Sequence, residues 1–163
     1  KAYSTRVGAG PMVSELFDEV AERIREKAWE YGTTTGRPRR CGWFDAVAAR
    51  YSANINGFTS AALTRLDVLD GFDSVKICVG YEIDGKIFDY YPGSTPLIER
   101  GVPVLKELPG WTKPTEGVTN LGDLPKEARA YVEELQKVIG CPIDLISTGP
   151  HRDETIRVRS IMR

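Results

Sequence analysis

VKICVGYEIDGKIF, residues 75–88, is the stretch that decides the fold. Apolar side chains occupy every second position from Val75 to Ile83, which is the period expected of a strand with one buried face. Asp84-Gly85 follows, a dipeptide typical of tight hairpin turns, and Lys86–Phe88 resumes the strand-like pattern. The stretch therefore predicts a β-hairpin.

Helices and short strands are predicted on both sides of this hairpin. Apolar residues at helical spacing predict three helices: one from an N-cap at Ser14 to Gly32, one from Asp45 to Asn56, and one from an N-cap at Asp123 to Gly140. Short strands are expected at 61–64, 103–108, 142–146 and 155–160, and the remainder of 91–122, rich in Pro and Gly, is expected to be irregular. The predicted fold class is α/β, a mixed sheet with flanking helices.

Composition limits the class of protein. The chain has 163 residues, 41% of them hydrophobic, which is enough for one domain or part of one with a real core. The 22 Lys and Arg nearly balance the 23 Asp and Glu, which disfavours a nucleic-acid-binding protein. No apolar run approaches the roughly 18 residues of a membrane helix, and no signal-peptide pattern opens the chain. Cys41, Cys78 and Cys141 are odd in number and widely spaced, which predicts reduced thiols in an intracellular protein and not a disulfide framework or a zinc site, with Cys78 and Cys141 in the core.

A loop rich in hydroxyl and guanidinium groups, TTTGRPRRCGW at 33–43, is the first candidate site. Its members within eight residues are Thr33, Thr34, Thr35, Gly36, Arg37, Pro38, Arg39 and Arg40. Guanidinium groups bind carboxylate or phosphate through two parallel hydrogen bonds, and hydroxyls and loop amides fill the remaining acceptor positions. The loop therefore predicts a small-anion site. A solvated basic surface, a polyanion contact or a localisation signal is the alternative.

A purine site is predicted where two strands end. Asp67 follows the apolar strand at 61–64, and an ionised carboxylate accepts hydrogen bonds from N1–H and the 2-amino group of guanine, a donor pair that adenine lacks. The stem of Arg65 can cover the purine face. Ser147-Thr148-Gly149, after another strand, can offer backbone amides to the guanine carbonyl. The alternatives are an N-cap for Asp67 and an ordinary turn for the second segment.

Five sequence runs in one order resemble the C-terminal part of the adenylosuccinate synthetase family across nearly the whole chain. They are Thr5–Pro11 (TRVGAGP), Thr33–Trp43, Thr64–Gly71 (TRLDVLDG), Pro109–Trp111 (PGW) and Ser147–Pro150 (STGP). The resemblance implies that residues 1–163 are a C-terminal fragment of a single larger domain, part of a P-loop-like α/β ligase fold. It also implies GTP-dependent ligation of IMP and L-aspartate to adenylosuccinate in purine synthesis, with Mg²⁺ as cofactor, in a cytoplasmic homodimer without nucleic-acid or membrane partners.

The resemblance also implies the roles of individual residues. Those matching the family's aspartate-binding loop are Thr33, Thr34, Thr35, Gly36, Arg37, Pro38 and Arg39. Those matching its IMP contacts are Val7 and Arg37. Those matching its GTP contacts are Arg39, Arg65, Leu66, Asp67, Ser147, Thr148 and Gly149. Two positions depart from the family pattern: Arg65 stands where lysine is most common, and His151 stands where an acidic residue is usual.

Two family motifs are absent from the sequence. Neither the glycine-rich GDEGKGK phosphate loop nor the later Gly-His-Glu segment occurs in these residues. Phosphoryl transfer requires a phosphate cradle, metal ligands and a positioned base. The resemblance therefore implies that this chain holds no catalytic residue, that Mg²⁺ is bound by an N-terminal region not included here, and that the fragment alone is inactive. The alternative is a non-catalytic nucleotide- or anion-binding module derived from the enzyme.

Overall fold

The computed structural model describes residues 1–159 and confirms the predicted α/β class. The strands are β1 Ser4–Arg6, β2 Arg40–Gly42, β3 Phe44–Asp45, β4 Ala61–Leu63, β5 Ser74–Ile83, β6 Lys86–Phe88, β7 Val102–Pro109, β8 Ile143–Ser147 and β9 Thr155–Arg157. The α-helices are α1 Glu19–Ala28, α2 Ala46–Asn56, α3 Thr95–Ile98 and α4 Lys126–Ile139, and short 3-10 helices span Leu66–Leu69 and Leu121–Asp123. Among residues 1–159, no helix has the length and apolar character needed to cross a membrane.

The chain forms two compact units. The first unit comprises residues 1–2, 49–75 and the described residues from 107 onward, and the second comprises residues 3–48 and 76–106. The chain crosses between them several times.

In the first unit, a three-stranded sheet has the order β4-β8-β9. Strands β4 and β8 are parallel, with Ala62 opposite Leu145 and Leu63 opposite Ile146, whereas β8 and β9 are antiparallel. Helix α4 buries its apolar stripe, and the Tyr131 ring lies 5.9 Å from that of Trp111. The Tyr131 hydroxyl donates to the carbonyl of Ala2 at 2.7 Å. Because β4 and β8 run in parallel, their carboxyl ends meet at one edge of the sheet.

In the second unit, the predicted hairpin forms the main sheet. Strand β5 pairs in parallel with β3, antiparallel with β6, and also with β7. Asp84 and Gly85 have φ angles of 51° and 75°, the left-handed pair that a type I′ turn requires. Strands β1 and β2 form a separate antiparallel ribbon in which Arg6 lies opposite Arg40. The apolar core of this unit is centred on Val47, Cys78, Tyr81, Ile83 and Ile98.

Several predicted element ends are wrong. Helix α1 begins after Asp18, whose Oδ1 accepts hydrogen bonds from the amides of Val20 and Ala21, and not after Ser14. It ends at Trp29, which takes the left-handed conformation predicted for Gly32. Asp123 belongs to a 3-10 turn and does not cap α4, which begins after Pro125.

Other predictions stand or are refined. Helix α2 and its end at Gly57 (φ 60°) are confirmed, as is the left-handed Gly140 after α4. Helix α3 was not predicted within the segment expected to be irregular. Strand β9 ends at Arg157, and Ser160, included in the predicted edge strand, lies outside the described residues. Cys78 and Cys141 are buried thiols outside any disulfide, which confirms the prediction that they lie in the core, and Cys41 is also buried.

Candidate functional site

The predicted anion loop is the exposed tip of a connection that leaves α1 and returns as β2. Below the tip, the amide of Gly32 donates to the carbonyl of Arg37, and the amide of Arg39 donates to the carbonyl of Glu30. The amide of Gly36 closes the tip on the carbonyl of Gly32, at a φ of 64° that favours glycine. Residues 33–38 are exposed. The hydroxyls and Arg37 therefore lie together on a turn whose base is fixed by backbone hydrogen bonds.

The three arginines of the loop have different environments. Arg37 is exposed, whereas Arg39 is partly buried and donates from NH1 to Oε2 of the buried Glu30 at 2.7 Å. Arg40 donates to both carboxylate oxygens of Glu15, a bidentate ion pair that raises the pKa of the guanidinium through its hydrogen bond to that carboxylate. Glu15 thus engages two nitrogens of the Arg40 guanidinium, whereas Glu30 engages the Arg39 guanidinium through NH1.

Arg40 also holds the loop that follows Val7. Its NH1 donates to the carbonyls of Gly8 at 3.2 Å and Gly10 at 2.7 Å. From the opposite strand, Arg6 donates to the carbonyls of Ala9 at 3.0 Å and Pro11 at 3.1 Å. We call residues 8–11 the clamped loop. Val7, the predicted IMP contact, lies just before it with its side chain 78% exposed.

The structure brings the two predicted guanine segments together at the carboxyl ends of β4 and β8. The amide of Arg65 donates to Oγ of Ser147 at 2.9 Å. Arg65 has a φ of 64°, an uncommon conformation for a non-glycine residue, and such backbone strain is concentrated at functional sites. Asp67 is half-buried two residues further along, with its Oδ1 atom buried. Leu66, the residue between Arg65 and Asp67, is fully buried.

The segment after Ser147 is organised by Glu154, which sequence reasoning missed. The amide of Thr148 donates to the Glu154 carbonyl at 2.9 Å, and the Thr148 hydroxyl donates to the Val118 carbonyl at 2.8 Å. Oε2 of Glu154 accepts from the backbone amide of His151, and a Cβ added at Gly149 would lie 2.1 Å from the same oxygen. A side chain at position 149 would require the Glu154 carboxylate to move from this position. The buried Thr148 side chain serves the fold.

The acidic residue three positions after Asp67 has a structural role. Oδ1 of Asp70 accepts from Nε1 of Trp111 at 2.6 Å and from the Thr115 hydroxyl at 2.8 Å, while Oδ2 accepts from the Thr115 amide at 2.8 Å. Gly110 lies so close to the chain at Phe72 that an added Cβ would meet its carbonyl oxygen at 1.8 Å. These contacts explain the second aspartate of the TRLDVLDG run, Asp70, and the glycine of the PGW run, Gly110.

A partly buried acid lies in the second unit, outside the predicted site. Asp45 caps α2 by accepting from the Ala48 amide at 3.0 Å, and accepts from the Tyr81 hydroxyl at 2.7 Å. Burial raises the pKa of Asp45, and hydrogen bonds from Ala48 and Tyr81 oppose that rise. Burial, together with the Asp45 charge, raises the pKa of the Cys78 thiol to about 12. Asp45 and Tyr81 line a cavity of about 180 Å³.

Within residues 1–159, no group of three or more His, Cys, Asp or Glu side chains is arranged to hold a metal ion. The aspartate-loop and IMP residues belong to the second unit, and the guanine residues belong to the first unit. Arg39, which is also predicted to contact GTP, belongs to the second unit, and within the first unit a hydrogen bond joins Arg65 to Ser147.

Comparisons with known proteins agree with these features. A family model described as adenylosuccinate synthetase matches residues 1–156. The chain is 52% identical over 160 residues to the adenylosuccinate synthetase of Pelobacter propionicus, covering 98% of this chain and 37% of that protein. It is 51% identical over 163 residues to that of Aquifex aeolicus, covering 100% of this chain and 38% of that protein.

A solved structure gives the same result. The structure of fully ligated adenylosuccinate synthetase from Plasmodium falciparum matches with a TM-score of 0.90 and 37% identity, over 96% of this chain and 38% of that one. The chain thus spans well under half the length of the relatives it matches. On the family model and on these relatives, the chain belongs to the adenylosuccinate synthetase family.

Proposed function

We propose that these residues form the aspartate-, IMP- and guanine-recognising part of a GTP-dependent ligase that joins IMP and L-aspartate to give adenylosuccinate. The observation that carries the proposal is the hydrogen bond from the Arg65 amide to Ser147 Oγ, because it joins two segments 82 residues apart that were assigned to one base from sequence. Family membership supports the identity of the ligands.

In the guanine site, Asp67 accepts from N1–H and the 2-amino group of the base. The stem of Arg65 covers the purine face in place of the family's usual lysine, and Leu66, which is fully buried, is included as the residue that joins Arg65 to Asp67. The Thr148 amide already donates to the Glu154 carbonyl. The guanine carbonyl therefore accepts from a neighbouring backbone amide, that of Ser147 or Gly149. GTP would therefore be selected mainly by one carboxylate on a strained turn.

In the aspartate site, the hydroxyls of Thr33, Thr34 and Thr35 and the guanidinium of Arg37 meet the substrate carboxylates, with Gly36 and Pro38 shaping the tip. Arg37 also contacts IMP, and the main chain at Val7 contacts its ribose beside the clamped loop. Arg39 contacts both aspartate and GTP. Arg40 is not included, because Glu15 and the carbonyls of Gly8 and Gly10 engage its donors.

The chemistry of phosphoryl transfer lies outside these residues in this proposal. Mg²⁺ would supply neutralisation of the phosphate charge, and protein sites for it usually provide one or two carboxylates. The described residues offer no clustered ligand set for it, so we assign the metal, the phosphate cradle and the base to another part of the enzyme, which acts as a homodimer. These residues alone then have no synthetase activity, and turnover by the isolated chain would contradict this assignment.

The guanine assignment is tested with Asp67→Asn in the complete enzyme that carries these residues. Asparagine loses the charge and offers one acceptor to two donors, at a cost of about 1.5–3 kcal/mol, which corresponds to a rise of roughly 10- to 150-fold in the KM for GTP. The KM values for IMP and aspartate should stay within about twofold of the wild type.

Two comparisons make the test specific. Inosine triphosphate lacks the 2-amino group, so the wild-type preference for GTP over it should largely disappear in Asp67→Asn. Asp73→Asn is the matched control, since Asp73 is an exposed aspartate of the same unit. If Asp67→Asn keeps both the wild-type KM for GTP and the preference over inosine triphosphate, the guanine site is misassigned.

A further inference from the structure

Glu30 is a buried carboxylate directly below the anion loop. It follows the last turn of α1 and is only 1% exposed. Its Oε1 accepts from the Tyr3 hydroxyl at 2.6 Å, and its Oε2 accepts from NH1 of Arg39 at 2.7 Å. Its carbonyl also accepts from the Arg39 amide at 2.8 Å. One residue therefore holds Arg39 by both main chain and side chain.

A carboxylate is unfavourable at this position unless it is paired. The carboxyl end of a helix carries partial negative charge, and burial of an ionised group costs several kcal/mol without a partner. The guanidinium of Arg39 provides the opposite charge. Packing alone would be served by a neutral side chain of similar size, so the arrangement points to a function in orienting Arg39.

The donors of Arg39 are divided by this contact. A guanidinium has five N–H donors in a planar fork, and the ion pair with Glu30 fixes that plane through NH1. Nε of Arg39 is buried and has no hydrogen-bond partner within the described part of the chain. Arg39 lines a cavity of about 270 Å³ that is also lined by Arg25, whose own Nε donates to the Arg39 carbonyl. The fixed plane therefore leaves donors for an acceptor brought by a ligand.

We propose that Glu30 is a positioning residue: through its ion pair with NH1 it holds the guanidinium plane of Arg39 in the orientation that binds the anionic substrate, aspartate or GTP. The inference rests on the proposed function of Arg39. Tyr3 donates to the other carboxylate oxygen, Oε1. Substitution of Tyr3 and substitution of Glu30 therefore test the hydrogen bond to Oε1 and the ion pair with Arg39 separately.

The experiment compares Glu30→Gln, Tyr3→Phe, Arg39→Leu and the double variant Glu30→Gln/Arg39→Leu in the complete enzyme. Glutamine keeps the size of the side chain but loses the charge that fixes NH1. We expect Glu30→Gln to raise the KM for aspartate or GTP about tenfold or more, while kcat stays within about threefold of the wild type. The reason is that the substitution removes a contact that orients Arg39 but leaves the reacting groups unchanged. Tyr3→Phe should lower the thermal midpoint while leaving both KM values within about twofold.

The double variant distinguishes orientation from a general structural effect. If Glu30 acts through Arg39, the increase in KM caused by Glu30→Gln should vanish in the Arg39→Leu background. An increase of the same size in both backgrounds, or equal KM values in Glu30→Gln and Tyr3→Phe, overturns the inference. Should Glu30→Gln fail to fold, Glu30→Asp replaces it; this variant keeps the charge with a shorter reach and is expected to give an intermediate KM, whereas a wild-type KM would overturn the inference.

Failure of the inference and failure of the proposed function give different results. If Arg39→Leu raises neither the KM for aspartate nor that for GTP, Arg39 is not a ligand contact, and both the proposed function of that residue and the inference are wrong. If Arg39→Leu raises a KM and Glu30→Gln leaves it unchanged, the function of Arg39 stands and only the positioning role of Glu30 is wrong.

Discussion

Asp70→Asn should destabilise the protein strongly without changing its choice of nucleotide. In the best orientation, the asparagine oxygen keeps the hydrogen bonds from Trp111 Nε1 and the Thr115 hydroxyl, and its amide group then faces the Thr115 amide where Oδ2 of Asp70 accepts at 2.8 Å. Thr115 is fully buried, so its N–H loses its acceptor at a cost of about 1–3 kcal/mol. Loss of charge from the two remaining bonds adds about 1 kcal/mol, for a total of about 2–4 kcal/mol.

The measurement is the free energy of unfolding from urea denaturation of the complete enzyme, with Asp73→Asn as control. Asp73 is exposed, and its substitution should change the free energy by less than about 0.5 kcal/mol. Fluorescence is a suitable probe because the Trp111 indole is itself a partner of Asp70. The preference for GTP over inosine triphosphate, measured in the folded variant, should equal that of the wild type.

Two results would refute this reasoning. If Asp70→Asn is as stable as Asp73→Asn, the three hydrogen bonds to Asp70 contribute nothing that solvent does not replace. If Asp70→Asn unfolds at the wild-type urea concentration but loses its preference for GTP, then the two aspartates of the TRLDVLDG run have been assigned to each other's roles.

The remaining predictions concern backbone packing and pH. Gly110→Ala places a methyl group 1.8 Å from the Phe72 carbonyl oxygen and should lower the unfolding free energy by about 2 kcal/mol or more. Gly93→Ala is the control: the space around Gly93 is open, so the unfolding free energy should change by less than about 0.5 kcal/mol. Similar urea midpoints for the two variants would contradict this prediction. Burial raises the folded-state pKa of Asp45 above its ordinary value of 3.8, so its contribution to stability is present below that value and lost as pH rises through the folded pKa. The stability of Asp45→Asn relative to wild type should therefore increase as pH rises from about 3.8 through the folded-state pKa of Asp45, and parallel stability curves for the two proteins above pH 3.8 would show that Asp45 has no raised pKa.

Local chemistry explains which parts of the fold were predictable. The hairpin at residues 75–88 follows from alternating side chains and an Asp-Gly turn, both of which act between neighbours in sequence. The first turn of α1 was placed too early because Ser14 has the right side chain for a cap, but Asp18 reaches the amides of Val20 and Ala21. Which of two capping residues acts depends on the path of the preceding chain, and sequence pattern alone does not give that path.

The site shows the same division. The exposed hydroxyl and guanidinium tip was predicted from a continuous run of residues, and the juxtaposition of Arg65 with Ser147 followed from two strand ends. The supporting acids were missed, because Glu15 meets Arg40 across 25 positions and Glu30 meets Tyr3 across 27. A single glutamate in a sequence gives no sign of a partner that far away. The sequence therefore does not show that Arg39 pairs with Glu30 whereas Arg40 pairs with Glu15; only the structure does.

The clamped loop has a consequence for the IMP contact proposed at Val7. Four of its carbonyls are tied to Arg6 and Arg40 from opposite strands, so its shape is set before any molecule arrives. Preorganisation of this kind removes the entropic cost of ordering a flexible segment during association. If the proposed IMP contact at Val7 is correct, a ribose bound there would meet a rim whose backbone is already held by these hydrogen bonds, and discrimination among similar sugars would depend on steric fit and not on adaptation of the protein.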